Sequence, residues 1–206
     1  MGEKPQDRAA WARWAWPVIA AALLAAEPHP AAAQMAPAQA TPASATEHDG
    51  QHDFDFLIGH WKAHLKKLAH PLTGSTTWIE YDGTSYTRKL WDDRANTEEF
   101  DVDSPQAHLH IHGQTLRLYN PVSHEWSLYL VYADKGALLM PPEIGKFDGR
   151  EGQFYDQEAW DGREIFTRYV WNDISPTAAR MVQSFSADGG RTWEANWIVD
   201  FSRERP

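Results

Sequence analysis

From about Asp53 to the C-terminus, apolar and polar residues alternate in short runs, and no stretch sustains the period of a helix. Runs rich in Trp, Tyr, Thr, Val and Ile lie at 60–68, 75–82, 84–91, 96–102, 107–119, 125–133, 144–148, 152–160, 163–172 and 178–186. A last run at 192–203 closes the series. Between them stand turn signals such as Asp82-Gly83, Asn120-Pro121, Asp148-Gly149, Asp161-Gly162 and Asp188-Gly189-Gly190. Asp-Gly between alternating runs marks a hairpin, because a type I′ turn needs positive φ at both central positions. Consecutive hairpins predict a meander, and a long meander removes its exposed edges by closing on itself. The expected fold is therefore all-β: one antiparallel up-and-down barrel of about ten strands. Phe54 to Ile58 is expected to form a short helical turn that plugs one end.

The alternation groups side chains by face. In the first run Trp61, Ala63 and Leu65 oppose Lys62, His64 and Lys66. In the last, Trp193, Ala195, Trp197, Val199 and Phe201 oppose Glu194, Asn196 and Asp200. Trp126 to Tyr132 and Ile165 to Trp171 carry large groups on both faces, which suits strands that line a cavity.

The N-terminal segment follows other rules. Lys4, Arg8 and Arg13 precede an uncharged apolar stretch from Trp14 to Ala26, and Ala31-Ala32-Ala33 offers a small-x-small exit. These are the three parts of a secretory signal peptide. The apolar stretch is short of the ~20 residues a spanning helix needs. Residues 1–33 are thus read as a cleaved signal, 34–52 as a disordered Ala/Pro-rich linker, and 53–206 as the barrel domain. The expected location is the periplasm or the medium, with no integral membrane segment after cleavage.

Composition narrows the chemistry. The chain of 206 residues contains no Cys, which excludes disulfides, thiolate nucleophiles and Cys-bound metals. Its formal net charge is -10, and residues 1–33 carry three acids (Glu3, Asp7, Glu27) and three bases (Lys4, Arg8, Arg13), so cleavage leaves that charge unchanged. Such a surface does not suit a nucleic-acid partner. Neither a phosphate loop nor a dinucleotide fingerprint is present.

Several stretches carry a resemblance. FDFLIGHW at 54–61 places a Gly-x-Trp on the first strand, and the last strand ends in Ser202-Arg203. This resembles the calycin (lipocalin-like) signature, in which the first-strand Trp packs across the closed end beneath an Arg from the last strand. With GSTTWIEYDGTS at 74–85, TLRLYNPVSHEWSLYL at 115–130 and PPEIGKFDGREGQFY at 141–155, the chain resembles a bacterial family of exported lipocalin-like domains of unknown function. GREIFTRYVW at 162–171 and VQSFSADGGRTWEANWIVDFSR at 182–203 continue the likeness. It implies a fold and brings no reaction.

Candidate chemistry falls into three groups. Ser186, Asp188, Gly190, Thr192 and Trp193 fit an Asp-box, whose turn chemistry accounts for every residue without a substrate. His108, His110 and His112 alternate with Leu109 and Ile111, so on a strand their imidazoles would share a face and offer a divalent metal two or three ligands. No cofactor is otherwise expected. The third group is polar residues set among aromatics: Trp78 and Glu80, Tyr129, Arg168 and Trp171, Gln183, and Glu194, Asn196 and Trp197. If these face inward they line a ligand cavity, with Glu194 as base, Arg168 as electrostatic stabiliser and Tyr129 beside them. If outward, Arg168 and Glu194 form a cross-strand pair contributing about 0.2–1 kcal/mol. A small-molecule ligand, partly apolar or aromatic, is the leading expectation. A cavity enzyme of isomerase, cyclase or lyase type is the alternative, and the oligomeric state is left open.

Overall fold

The structure is a computed structural model and describes residues 48–203; the signal-peptide reading and most of the linker lie outside the described residues. Ten antiparallel strands follow one another: β1 (Gly59–Leu68), β2 (Trp78–Leu90), β3 (Ala95–Ser104), β4 (Leu109–Asn120) and β5 (Glu125–Tyr132). Then come β6 (Glu143–Asp148), β7 (Glu151–Trp160), β8 (Arg163–Asn172), β9 (Ala178–Ser186) and β10 (Glu194–Ser202). Each pairs with its sequence neighbour, and β1 pairs with β10 to close the barrel. This is the up-and-down barrel that the alternation predicts. Among the described residues no helix is long and apolar enough to cross a membrane.

Asp82-Gly83 is not a turn: both residues lie inside the continuous β2, so two expected strands merge into one. Gly83 is there for closeness, since a Cβ on it would lie 2.0 Å from the Asp101 carbonyl oxygen. Gly145 in β6 is similar, with a Cβ position 1.9 Å from the Gln153 carbonyl oxygen. Both mark places where neighbouring backbones curve against each other as the sheet closes.

One end is sealed. A 3-10 turn, Asp55–Leu57, sits over it, with Phe54 and Leu57 fully buried. Trp61 Nε1 donates to the Leu57 carbonyl at 2.7 Å, and the Arg203 guanidinium lies 4.1 Å from the Trp61 ring centroid. Arg203 also donates to the carbonyls of Phe56 and Ile58, at 2.9 and 2.6 Å. Residues just before Asp53 also bond to the barrel: Trp126 Nε1 donates to the Gly50 carbonyl at 2.9 Å, and the Tyr119 hydroxyl donates to Asp49. Residues 48–52 therefore belong to the plug.

The opposite end carries the β1–β2, β3–β4, β5–β6, β7–β8 and β9–β10 connections. Of these, the β9–β10 turn is the Asp-box. Asp188 accepts from the amides of Arg191 and Thr192 at 3.0 and 2.9 Å and from the Thr192 hydroxyl at 2.7 Å. These bonds hold the Asp188 carboxyl below its usual range, the Thr192 amide first among them.

Candidate functional site

Pair register settles which faces point inward. Ala63 opposes Gly83, Leu65 opposes Tyr81, and Lys67 opposes both Ile79 and Trp197. The inward set continues through Phe100, Thr115 and Leu130 to Glu143, Asp156, Tyr169 and Gln183. Two adjoining chambers lie within this set. An inner one of about 50 Å³ is lined by Ala63, Leu65, Val102, Leu128, Met181 and Phe201, among others. An outer one of about 230 Å³ opens at the mouth, and Leu130, Tyr132, Tyr169, Gln183 and Trp197 belong to both.

The inner floor holds a buried ion pair. Arg117 donates to Glu98 and, at 3.1 Å, to Asn96 Oδ1. Ser85 Oγ donates to the other Glu98 oxygen at 2.6 Å. The guanidinium carbon stands 5.0 Å from the Phe54 ring and 5.6 Å from the Trp171 ring, so its charge is desolvated on aromatic faces. This network separates the sealed plug from the cavity.

The outer chamber holds the titratable groups. Glu143 on β6 is buried, and Asp156 on β7 stands one rung beyond the Ile144–Tyr155 pair, opposite it. Glu158 follows on the same face of β7 and accepts from the Thr167 hydroxyl at 2.7 Å. Burial raises the Glu143 carboxyl to about 8, helped by the neighbouring Asp156 charge. Burial, and then Glu158, raises Asp156 to about 6. Tyr169 faces Glu143, and its phenol is held well above its ordinary range, by burial first. Across the mouth, Lys67 Nζ lies 5.2 Å from the Trp197 ring centroid. Burial, and secondarily Lys135, lowers the Lys67 ammonium from its ordinary value.

Of the residues grouped from sequence, Gln183, Asn196 and Trp197 meet in the outer chamber. Gln183 Nε2 donates to Asn196 Oδ1 at 2.9 Å, while Asn196 Nδ2 is buried without a partner. A β-bulge between Ala195 and Trp197 is what interrupts the alternation expected there. Trp171 lies deeper, stacked on Phe201 at 5.5 Å.

The others do not join them. Trp78 and Glu80 oppose Leu68 and Lys66, so they share the outer face, where Glu80 pairs with Lys66 at 3.0 Å. Tyr129 opposes Leu116 on the outer face of β4–β5. Arg168 opposes Tyr155 and Ser184 outside, with its guanidinium 4.4 Å from the Trp193 ring. Glu194 sits at the rim, its Oε1 accepting from the Leu72 amide at 2.6 Å. The proposed Glu194–Arg168–Tyr129 constellation is therefore not assembled: stacking on Trp193 holds Arg168 outside and the Leu72 amide holds Glu194 at the rim.

The histidine triplet also divides. His108 is in the β3–β4 turn with φ 54°, off the strand, so only His110 and His112 share a face. That face is external: His110 bonds Asp101 at 2.8 Å and His112 bonds Glu99 at 2.9 Å. Asp101, Asp103 and His110 bring their ligand atoms within 4.8 Å of one another, all exposed. The hydrogen bond that His110 donates to the Asp101 carboxylate raises the imidazole above its ordinary range.

Reasoning from sequence missed Lys67, Tyr132, Glu143, Asp156, Glu158 and Tyr169. A signal was present: in Phe154-Tyr-Asp156-Gln-Glu158-Ala-Trp160 both acids share a face with Phe154 and Trp160, as Glu143 does with Phe147. Acids in register with core aromatics mark a polar patch inside.

No family model and no curated protein matches the chain. Solved structures do. The structure of the S-type phycobiliprotein lyase CPES from Guillardia theta is similar at 10% identity, covering 78% of this chain and 95% of that one, with a TM-score of 0.51. The structure of EF1p2_mFAP2b bound to DFHBI matches at 9% identity over 75% of this chain and 99% of that one, with a TM-score of 0.41. The chain is an up-and-down barrel of ten strands, closed at one end by a plug and open at the other, and it shares its fold with that lyase.

Proposed function

We propose that this chain is an exported barrel that holds a small, partly apolar or aromatic ligand in its interior. The observation that carries the reading is a pair of adjoining chambers lined mostly by aromatic and aliphatic side chains, with a few polar groups converging at the mouth. Size shapes the expectation. A water needs roughly 10–15 Å³ of such space, so the inner chamber takes only the tip of a ligand and the outer one its bulk. Export rests on the charged start, apolar run and Ala-x-Ala exit of residues 1–33. The likeness to solved barrels concerns the fold and supplies no ligand.

An acid–base enzyme is a second reading, favoured by one observation. Glu143 and Asp156, raised by burial to about 8 and about 6, straddle neutrality in the chamber beside Tyr169. Groups poised near the working pH suit proton transfer. Mass spectrometry of small molecules extracted from protein purified from its native compartment tests the main reading. A single compound at about one equivalent supports it; an extract matching that of a denatured control contradicts it.

A further inference from the structure

The outer chamber sets three acids against one cation, Lys67. Glu143, Asp156 and Glu158 project from two adjacent strands, and none is ion-paired among the described residues. Around them stand the rings of Tyr132, Trp160, Tyr169, Phe185 and Trp197. One of these rings already receives a cation, since Lys67 Nζ lies 5.2 Å from the Trp197 centroid. On the same wall Asn196, 2% exposed, leaves its Nδ2 buried with no acceptor. Buried amides are nearly always satisfied, so an unpaired donor in a chamber wall points to an acceptor supplied from outside the chain.

We propose that the outer chamber recognises an organic cation, an ammonium or protonated nitrogen heterocycle, between the Glu143–Asp156–Glu158 carboxyls and the aromatic rings, with Asn196 Nδ2 donating to an acceptor on the same ligand. The inference rests on the ligand-binding reading above and names its chemistry. An inorganic ion is the poorer fit. Among the described residues the cluster bringing three metal-type ligand atoms within 4.8 Å is the exposed Asp101–Asp103–His110 group, not these carboxyls. Three carboxyls on two adjacent strands, facing aromatic rings, suit the head of an organic cation, and desolvated rings add cation–π attraction.

Binding is coupled to protons. Glu143 faces Asp156 and Glu158 from β7, Tyr169 from β8, Tyr132 from β5 and Lys67 across the mouth, with Asp134 in the β5–β6 loop. Burial keeps the Glu143 carboxyl protonated at neutral pH. An arriving cation favours the carboxylate, and the proton leaves to the buffer. Affinity for a permanently charged head therefore rises as pH climbs from about 5 to about 8.

Three aromatic probes of similar shape test this on the purified mature chain by calorimetry: phenethylammonium, propylbenzene and phenylpropionate. The ammonium is expected to bind at least about tenfold more tightly than the other two near pH 8, with proton release seen as a buffer-dependent heat. A Glu143→Gln, Asp156→Asn double variant is expected to lose that preference while still binding propylbenzene, which also shows that it folds. Binding of propylbenzene or phenylpropionate as tight as that of the ammonium overturns the cation proposal and leaves the binding barrel standing. Binding of none of the three overturns both.

Discussion

Gln183 Nε2 donates to Asn196 Oδ1 across the β9–β10 bulge, which leaves the other end of the Asn196 amide buried and unpaired in the chamber wall. The bulge turns a residue that alternation assigns outward into a lining group. If Nδ2 serves a ligand, Asn196→Ala is expected to weaken binding of a captured ligand by about fivefold, the value of one ordinary hydrogen bond. Titration of the purified variant checks this. Unchanged affinity would remove Asn196 from the site.

The Arg117–Glu98 pair lies under the inner chamber with both side chains almost fully buried. Removing one partner strands the other charge. Arg117→Met is expected to destabilise the barrel by about 3–5 kcal/mol, and adding Glu98→Gln to recover much of the loss. Urea unfolding of both single variants and the double measures it; an additive double variant would mean that the pair is not coupled.

Glu143 has a folded-state value near 8 against an ordinary 4.5, so between those values the folded chain holds a proton that the unfolded chain has released. Stability contributed by this site therefore falls as pH rises from about 4.5 to about 8. Asp156, raised to about 6 from 3.8, adds to the fall at the acid end of that window. Glu143→Gln is expected to flatten the decline, gaining most relative to wild type near pH 8. Denaturation at three pH values shows whether the two curves diverge as stated.

Arg203 ties β10 to the plug through the Trp61 ring and the carbonyls of Phe56 and Ile58. Charged hydrogen bonds and a desolvated cation–π contact of this kind give an expected loss of about 2–4 kcal/mol for Arg203→Ala. Amide exchange should quicken first in residues 54–58, and uniform quickening along the chain would place the effect elsewhere.

Much of the architecture was written in the alternation. Trp61, Ala63 and Leu65 point inward as the first strand's pattern requires, and Arg203 meets Trp61 as the resemblance implies. What escaped was register and exception. Asp82-Gly83 reads as a turn because the residues suit one, yet Gly83 serves the close approach of β3. Arg168 looks like a buried charge among aromatics, whereas its aromatic partner, Trp193, comes from the Asp-box turn on the outside. The bulge at Asn196 reverses one residue only, and no local residue type announces it. The acids of the mouth escaped because carboxylates read as solvent-facing by default.

The barrel is proposed to carry a small molecule in its interior. Native mass spectrometry of the chain isolated from its own compartment, wild type beside Gln183→Phe, addresses it most directly, since Gln183 lines both chambers. The expected result is one small-molecule mass increment on the wild type, absent from a folded Gln183→Phe variant. A wild type of bare polypeptide mass, or an increment that survives the filling of the cavity, would contradict it.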